Sequence, residues 1–332
     1  MRRDDLEEGL QGGFDHDHLA VYADELQRLG DPRGELITID LYADEFGASD
    51  ELAERKRAIL AALLGPEAAG HSTVACRYGF VDLLEPPADQ PEEAATALSA
   101  VDTVLFGPLG RYVREVALVG NTERVRDMMS SLAHEPRPFL TRLAIHGQSW
   151  LNRVDLPADL IARVVDVVPR LHTLEVSGRR VLPMIAFPTV QHLIASGYDA
   201  LAALRPQAAG SPCFPAVGSL DLGCGWPPGT GELEGLLPPL QLPELTRLDV
   251  VRCDGQVGPD PAHDVFRFLR SLAIAPQLAW LRVPAVRTDE QAVNLQAAID
   301  RMPALAEVVV HEQFAPPKIL RHETAAIRLP EL

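Results

Sequence analysis

Residues Leu245-Thr246-Arg247-Leu248-Asp249-Val250 state a phrase, apolar-x-x-apolar-x-apolar, that decides how this chain is read. The phrase recurs as Val113/Val116/Leu118, Leu140/Leu143/Ile145, Leu171/Leu174/Val176 and Val190/Leu193/Ala195. It continues as Val217/Leu220/Leu222, Leu278/Leu281/Val283 and Leu305/Val308/Val310. From Val113 to Leu305 is 192 residues in seven steps, a mean period of about 27, within the range of leucine-rich repeats. The unit from Val190 is irregular, following its predecessor by only 19 residues.

A strand sends alternate side chains to opposite faces, so the last two apolar positions of each phrase point inward together. Helix-like stretches separate the phrases at 122–134, 156–168, 198–204, 231–237, 260–273 and 288–301. Prolines 169, 188, 215, 243, 276 and 303 follow most of them, where proline ends a helix and favours an extended entry to the next strand. One strand and one helix per unit predict an α/β leucine-rich-repeat solenoid of the ribonuclease-inhibitor-like type. Its parallel sheet is concave and its helices lie outside. Asn121 and Cys253 fall in the slot where this repeat type turns an Asn or Cys inward to satisfy loop backbone groups.

Ahead of the repeats, Leu19, Tyr22, Leu26 and Leu29 have helical spacing, with Gly30 placed to end the helix. Asp31-Pro32 restarts the chain and Leu36, Ile37, Ile39, Leu41 and Phe46 carry a second helix. Ser49 caps a third, which ends at Gly65-Pro66. The expected organisation is a helical module at 1–70, the solenoid at 71–311 and a capping segment at 312–332.

The stretch Val21-Tyr22-Ala23-Asp24-Glu25-Leu26-Gln27-Arg28-Leu29-Gly30-Asp31-Pro32-Arg33-Gly34-Glu35-Leu36-Ile37 resembles the bacterial repeat-companion domain, whose signature looks like V-Y-A-D-W-L-x-x-x-G-D-P-R-G-E-[FL]-I. Glu25 stands where that family usually has Trp. Tyr78-Gly79-Phe80-Val81 resembles the family's G-F-V segment, so the likeness covers roughly the first 85 residues. It implies a bacterial protein with a small helical module before leucine-rich repeats and an interaction role. It transfers no functional residue.

Net charge is −17 and unevenly placed: residues 1–107 hold 8 Lys+Arg against 23 Asp+Glu, the remainder 22 against 24. Phosphate binding needs clustered basic residues, so no nucleic-acid partner is expected. No apolar run approaches the roughly 18 residues of a membrane span, so no membrane partner is expected either. Two arginines near the start precede no apolar leader, and four sparse cysteines show no metal spacing. Together these place the protein in the cytoplasm.

Candidate chemistry is thin. Asp15-His16-Asp17-His18 holds metal-ligand residue types, but adjacent residues cannot all converge on one ion, and Asp17 suits a helix N-cap. The loop Gly223-Cys224-Gly225-Trp226-Pro227-Pro228-Gly229-Thr230-Gly231 has no lysine in the Walker position. Gly-x-Ser-x-Gly and His-Glu-x-x-His are absent from the sequence. A non-enzymatic protein that needs no cofactor and binds another protein on the concave face is therefore expected. Arg142, His146, Glu175, His192, Asp221, Arg247, Asp249, Trp280 and Arg282 lie between the inward leucines. Arg and Trp are the residues that most often anchor interfaces. The alternative is a regulatory or sensor subunit of a bacterial enzyme or conflict-system complex, with His146 or the Cys224 loop at work.

Overall fold

A computed structural model describes residues 3–11, 13–70, 74–85, 91–147, 154, 156–177, 186–196, 214–223, 242–251, 265–266, 269–270, 272, 275–286, 288–311 and 318–321. The chain divides into two compact units, Met1–Ala144 with Ala162–Leu171, and Ile145–Ile161 with His172–Leu332. Both are α/β, and strand pairing is mostly parallel.

The first unit opens with five helices: α1 (Arg3–Leu10), α2 (His16–Arg28), α3 (Arg33–Phe46), α4 (Asp50–Leu64) and α5 (Pro66–Gly70). Asp15, not Asp17, caps α2, accepting the His18 N–H at 3.0 Å. The far end closes as a Schellman turn: Asp31 N–H reaches Leu26 O at 2.8 Å, Gly30 N–H reaches Gln27 O at 3.0 Å, and Gly30 takes a φ of 72°. Ser49 caps α4 as expected, accepting the Leu52 N–H. A Cβ on Gly34 would sit 2.6 Å from the Ala23 carbonyl oxygen, so the glycine is what lets α3 lie on the α2 backbone.

Two residues read as inward are not. Leu29 is the C-cap, where the chain leaves the helix, and is 50% exposed. Phe46 ends α3, is 64% exposed and packs on Tyr42 at 4.7 Å. Helix ends escape the periodicity that places mid-helix residues.

A hairpin follows, β1 (Val74–Arg77) antiparallel to β2 (Phe80–Leu84), turning through Tyr78 and Gly79, both at positive φ. Then come α6 (Pro91–Phe106), β3 (Glu115–Gly120) parallel to β2, and α7 (Thr122–Leu132). The strand β4 (Arg142–Gly147) and the helix α8 (Ala158–Val167) each run across the division between the units. Helices and strands of the first unit share one core: Leu6, Leu19, Tyr22, Leu26 and Ile37 pack with Phe80, Tyr112 and Phe139. Inside it lies a polar network. Buried Glu7 accepts from the Tyr22 and Tyr112 hydroxyls, both at 2.9 Å. Buried Arg33 stacks 3.7 Å from the Tyr112 ring centre and pairs with Asp31 at 2.6 Å. Burial raises both tyrosine pKa values, keeping the hydroxyls protonated as donors.

In the second unit β5 (Thr173–Ser177), β6 (His192–Ser196), β7 (Ser219–Gly223), β8 (Arg247–Asp249), β9 (Trp280–Val283) and β10 (Glu307–Val310) pair in sequence order, all parallel. The helix α9 (Asp289–Ile299) joins the last two. A final strand, β11 (Lys318–Arg321), folds back antiparallel on β10 within the segment read from sequence as a cap. The register aligns Leu174, Leu193, Leu220, Leu248, Leu281 and Val308. Across the eight phrases quoted from the sequence, all three apolar positions are at most 9% exposed.

The phrase extends further back than the sequence reading placed it. The first apolar residue donates its N–H to the carbonyl three residues earlier, as Leu171 to Val168, Val190 to Phe187, Val217 to Phe214, Leu245 to Leu242 and Leu305 to Met302. Proline occupies the second position of each of these turns, where its fixed φ is favourable. The prolines thus shape a tight turn as well as ending a helix. The turn's leading residue is buried each time, and Phe187 and Phe214 stack at 5.8 Å. One carbonyl of each unit then accepts two consecutive N–H groups of the next: His172 from Gln191 and His192, Gln191 from Gly218 and Ser219, Gly218 from Thr246 and Arg247, Thr246 from Ala279 and Trp280, and Ala279 from Ala306 and Glu307.

Asn121 corrects another expectation. It is exposed and caps α7, its Oδ1 accepting the Arg124 N–H at 3.0 Å, so it does not turn inward. The chain enters a helix at once after β3, and capping the orphan N–H groups outcompetes the loop role. Cys253 lies outside the described residues.

Candidate functional site

Because the apolar positions are buried on one side of β5–β10, the alternate residues line the other. The register sets them in rows. One runs Thr173, His192, Ser219, Arg247, Trp280, Glu307, and the next runs Glu175, Ile194, Asp221, Asp249, Arg282, Val309. Neighbours in a row belong to adjacent strands, which lie about 4.8 Å apart in a sheet, so side chains of opposite character meet.

In the first row the Arg247 guanidinium lies 4.5 Å from the Trp280 ring centre, and Trp280 Nε1 donates to Glu307 Oε1 at 3.1 Å. Trp280 is half-buried, held by charge on both sides. In the second row Arg282 Nη1 donates to Asp249 Oδ2 at 3.1 Å, while Asp249 Oδ1 accepts the Val251 N–H at 2.9 Å. Asp249 is thereby fixed from both oxygens. His192 Nε2 lies 3.2 Å from Asp221 Oδ2 but outside hydrogen-bonding alignment, so their contact is electrostatic only. His146 Nδ1 is 2.8 Å from Ser177 Oγ, and its Nε2 is 3.8 Å from Glu175 Oε1. In the first unit Arg142 Nη1 donates to Glu115 Oε2 at 3.2 Å.

The residues picked from sequence therefore face one side of the strands, but they do not form a free basic group. Each arginine already has an acidic or aromatic neighbour. Glu307, Glu115 and Ser177 complete these pairs and were not singled out. The signal that finds them is the cross-strand register, which the equal phrase spacing only approximates. Serine, histidine and carboxylate meet at Ser177, His146 and Glu175, yet 3.8 Å is too long for the carboxylate to orient the ring by a hydrogen bond.

The other candidates disperse. His16 Nε2 faces the Tyr78 hydroxyl at 3.3 Å and Asp44 at 3.8 Å, whereas His18 Nε2 meets the Leu6 carbonyl at 3.0 Å. Among the described residues no group of three or more His, Cys, Asp or Glu is placed to hold a metal ion. Gly223 ends β7, and the rest of the glycine-rich loop, with Cys224, lies outside the described residues. The half-buried Cys76 has its thiol pushed up to about 11 by burial, which disfavours a thiolate. Among the described residues no helix is long and apolar enough to cross a membrane.

No protein-family model matches the chain, and no curated protein matches it.

Proposed function

We propose that this chain is a non-enzymatic bacterial binding protein, cytoplasmic, built as a leucine-rich-repeat solenoid of the ribonuclease-inhibitor-like type behind a helical repeat-companion module. It holds another protein on the face formed by β5–β10, and needs no cofactor, nucleic acid or membrane. The observation that carries this reading is the row Arg247–Trp280–Glu307 beside Arg282–Asp249, on the side opposite the buried leucines. Packing of the core does not require a tryptophan there. Arginine and tryptophan on a rigid sheet bring large contact area at small entropic cost. Their present contacts are partly exposed, worth roughly 1 kcal/mol or less apiece, so a partner can take them over cheaply.

The test is affinity capture from native lysate with mass spectrometry, comparing the protein with the Arg142→Ala/Arg247→Ala/Trp280→Ala/Arg282→Ala variant. All four side chains are outward-facing, and circular dichroism verifies folding. Loss of the specific partner supports the reading; undiminished capture by the folded variant rules the face out.

A further inference from the structure

A second surface lies in the first unit, away from the residues of the sheet face. The turn between α2 and α3 and the side of α4 border an open cleft of about 620 Å³. Pro32, Ile39, Tyr42 and Leu52 supply its apolar lining, with Gln27 and Glu35 as polar members. That volume is in the usual range for a site that receives side chains, roughly 300–1,000 Å³. Tyr42 is 52% exposed and stacks on Phe46, which is 64% exposed, so two aromatic faces stand open at one end.

The charge around the cleft is one-sided. Asp24, Glu45 and Glu51 are exposed and make no ion pair among the described residues. Each lies three or four residues along its helix from a lining residue, namely Gln27, Tyr42 and Arg55, and so shares that residue's side of the helix. Glu35 pairs with Arg55, but the Arg55 side chain is 66% exposed, and such a surface pair is readily exchanged.

We propose that this cleft docks an amphipathic, arginine-bearing segment of a partner protein. An apolar side chain fills the space over Pro32, Ile39 and Leu52. A flanking arginine stacks on Tyr42 and Phe46 and takes Glu35 from Arg55, while Asp24, Glu45 and Glu51 draw further basic residues. Arginine suits the site better than lysine because its planar guanidinium stacks on aromatic rings while pairing with a carboxylate. The proposal stands apart from the sheet-face reading.

The experiment measures fluorescence anisotropy of three labelled dodecapeptides on the full chain: alternating Arg/Leu, alternating Glu/Leu and alternating Arg/Ser. The Arg/Leu peptide is expected to bind most tightly. Tyr42→Ala/Phe46→Ala should weaken it by about tenfold, and Asp24→Asn/Glu45→Gln/Glu51→Gln by about fivefold with a flatter salt dependence. Arg247→Ala/Trp280→Ala/Arg282→Ala should leave it unchanged, separating this surface from the sheet face. Equal binding of the Glu/Leu or Arg/Ser peptide, or full affinity in either cleft variant once folding is verified, overturns the proposal. So does a self-association, seen by sedimentation, that Tyr42→Ala/Phe46→Ala dissolves, because the occupant is then a second copy of this chain.

Discussion

Replacing Arg33 by methionine should destabilise the first unit by about 3 kcal/mol. Arg33 is 3% exposed, an unusual place for a guanidinium. It stacks over Tyr112 at 3.7 Å and lies 5.9 Å from the Tyr22 ring centre, and both hydroxyls of those rings serve Glu7. Removing it forfeits a desolvated cation–π contact of about 2 kcal/mol. It also strands Asp31, and breaking a buried pair from one side costs about 3–5 kcal/mol. The low end applies, because the Asp31 side chain is 19% exposed and rehydrates in part. Against this, Arg33 Nη1 has no partner among the described residues, and removing that unsatisfied group returns about 1–3 kcal/mol. Arg33→Lys, which keeps the charge but loses the planar fork, should cost about half as much. The assay is urea unfolding followed by the tyrosine near-ultraviolet dichroism band, with slopes compared between variants. Asp31→Asn/Arg33→Met should be less destabilised than the two single costs added together. If Arg33→Met lies within about 0.5 kcal/mol of the parent protein at unchanged slope, the network does not organise this core.

Other outcomes follow from single residues. Gly34→Ala should destabilise by about 2–3 kcal/mol in the same assay, since its Cβ would meet the Ala23 carbonyl oxygen at 2.6 Å; Gly30→Ala, strained only by its φ of 72°, should cost about 1 kcal/mol. The Asp44 carboxyl is held below the usual carboxylate range by the Tyr78 hydroxyl and Arg77. Its stabilisation is therefore complete above the ordinary aspartate pKa near 4 and lost as pH falls further, so Asp44→Asn should flatten the fall in unfolding temperature below about pH 4. Parallel curves for the two proteins would refute this. Cys76, with its thiol raised from 9.0 to about 11, should alkylate about tenfold more slowly at pH 8 than an unperturbed cysteine. The hundredfold loss of thiolate is partly offset by the greater nucleophilicity of a more basic thiol. Mass-spectrometric timing of the Cys76 peptide measures it, and a rate equal to that of a free thiol contradicts the burial argument.

The strands were legible because alternation is a local rule: Leu248 and Val250 face one way because Asp249 faces the other. The face residues were legible for the same reason. Their pairings were not, since whether Trp280 meets Arg247 or Glu307 depends on register between segments about 30 residues apart. Prolines 188 and 215 were visible, but their place inside a turn emerged only from the hydrogen bond that closes it. Least legible was the network of Glu7, Arg33 and Tyr112, whose members stand up to 105 residues apart and belong to no local pattern. The family-like stretch around Asp31-Pro32-Arg33-Gly34 marked the place, and its physical content is a Schellman turn, a close helix approach and a buried guanidinium. Exposed Leu29 and Phe46 were misread because helical spacing alone does not say where a helix stops.

The central claim is that the partner sits on the outward face of β5–β10. A photo-crosslinking residue placed at Ser219, on that face, and separately at Val293, 66% exposed on α9, tests it most directly. The account predicts that the captured partner crosslinks from position 219 and not from 293. Crosslinking from 293 with none from 219 would contradict it.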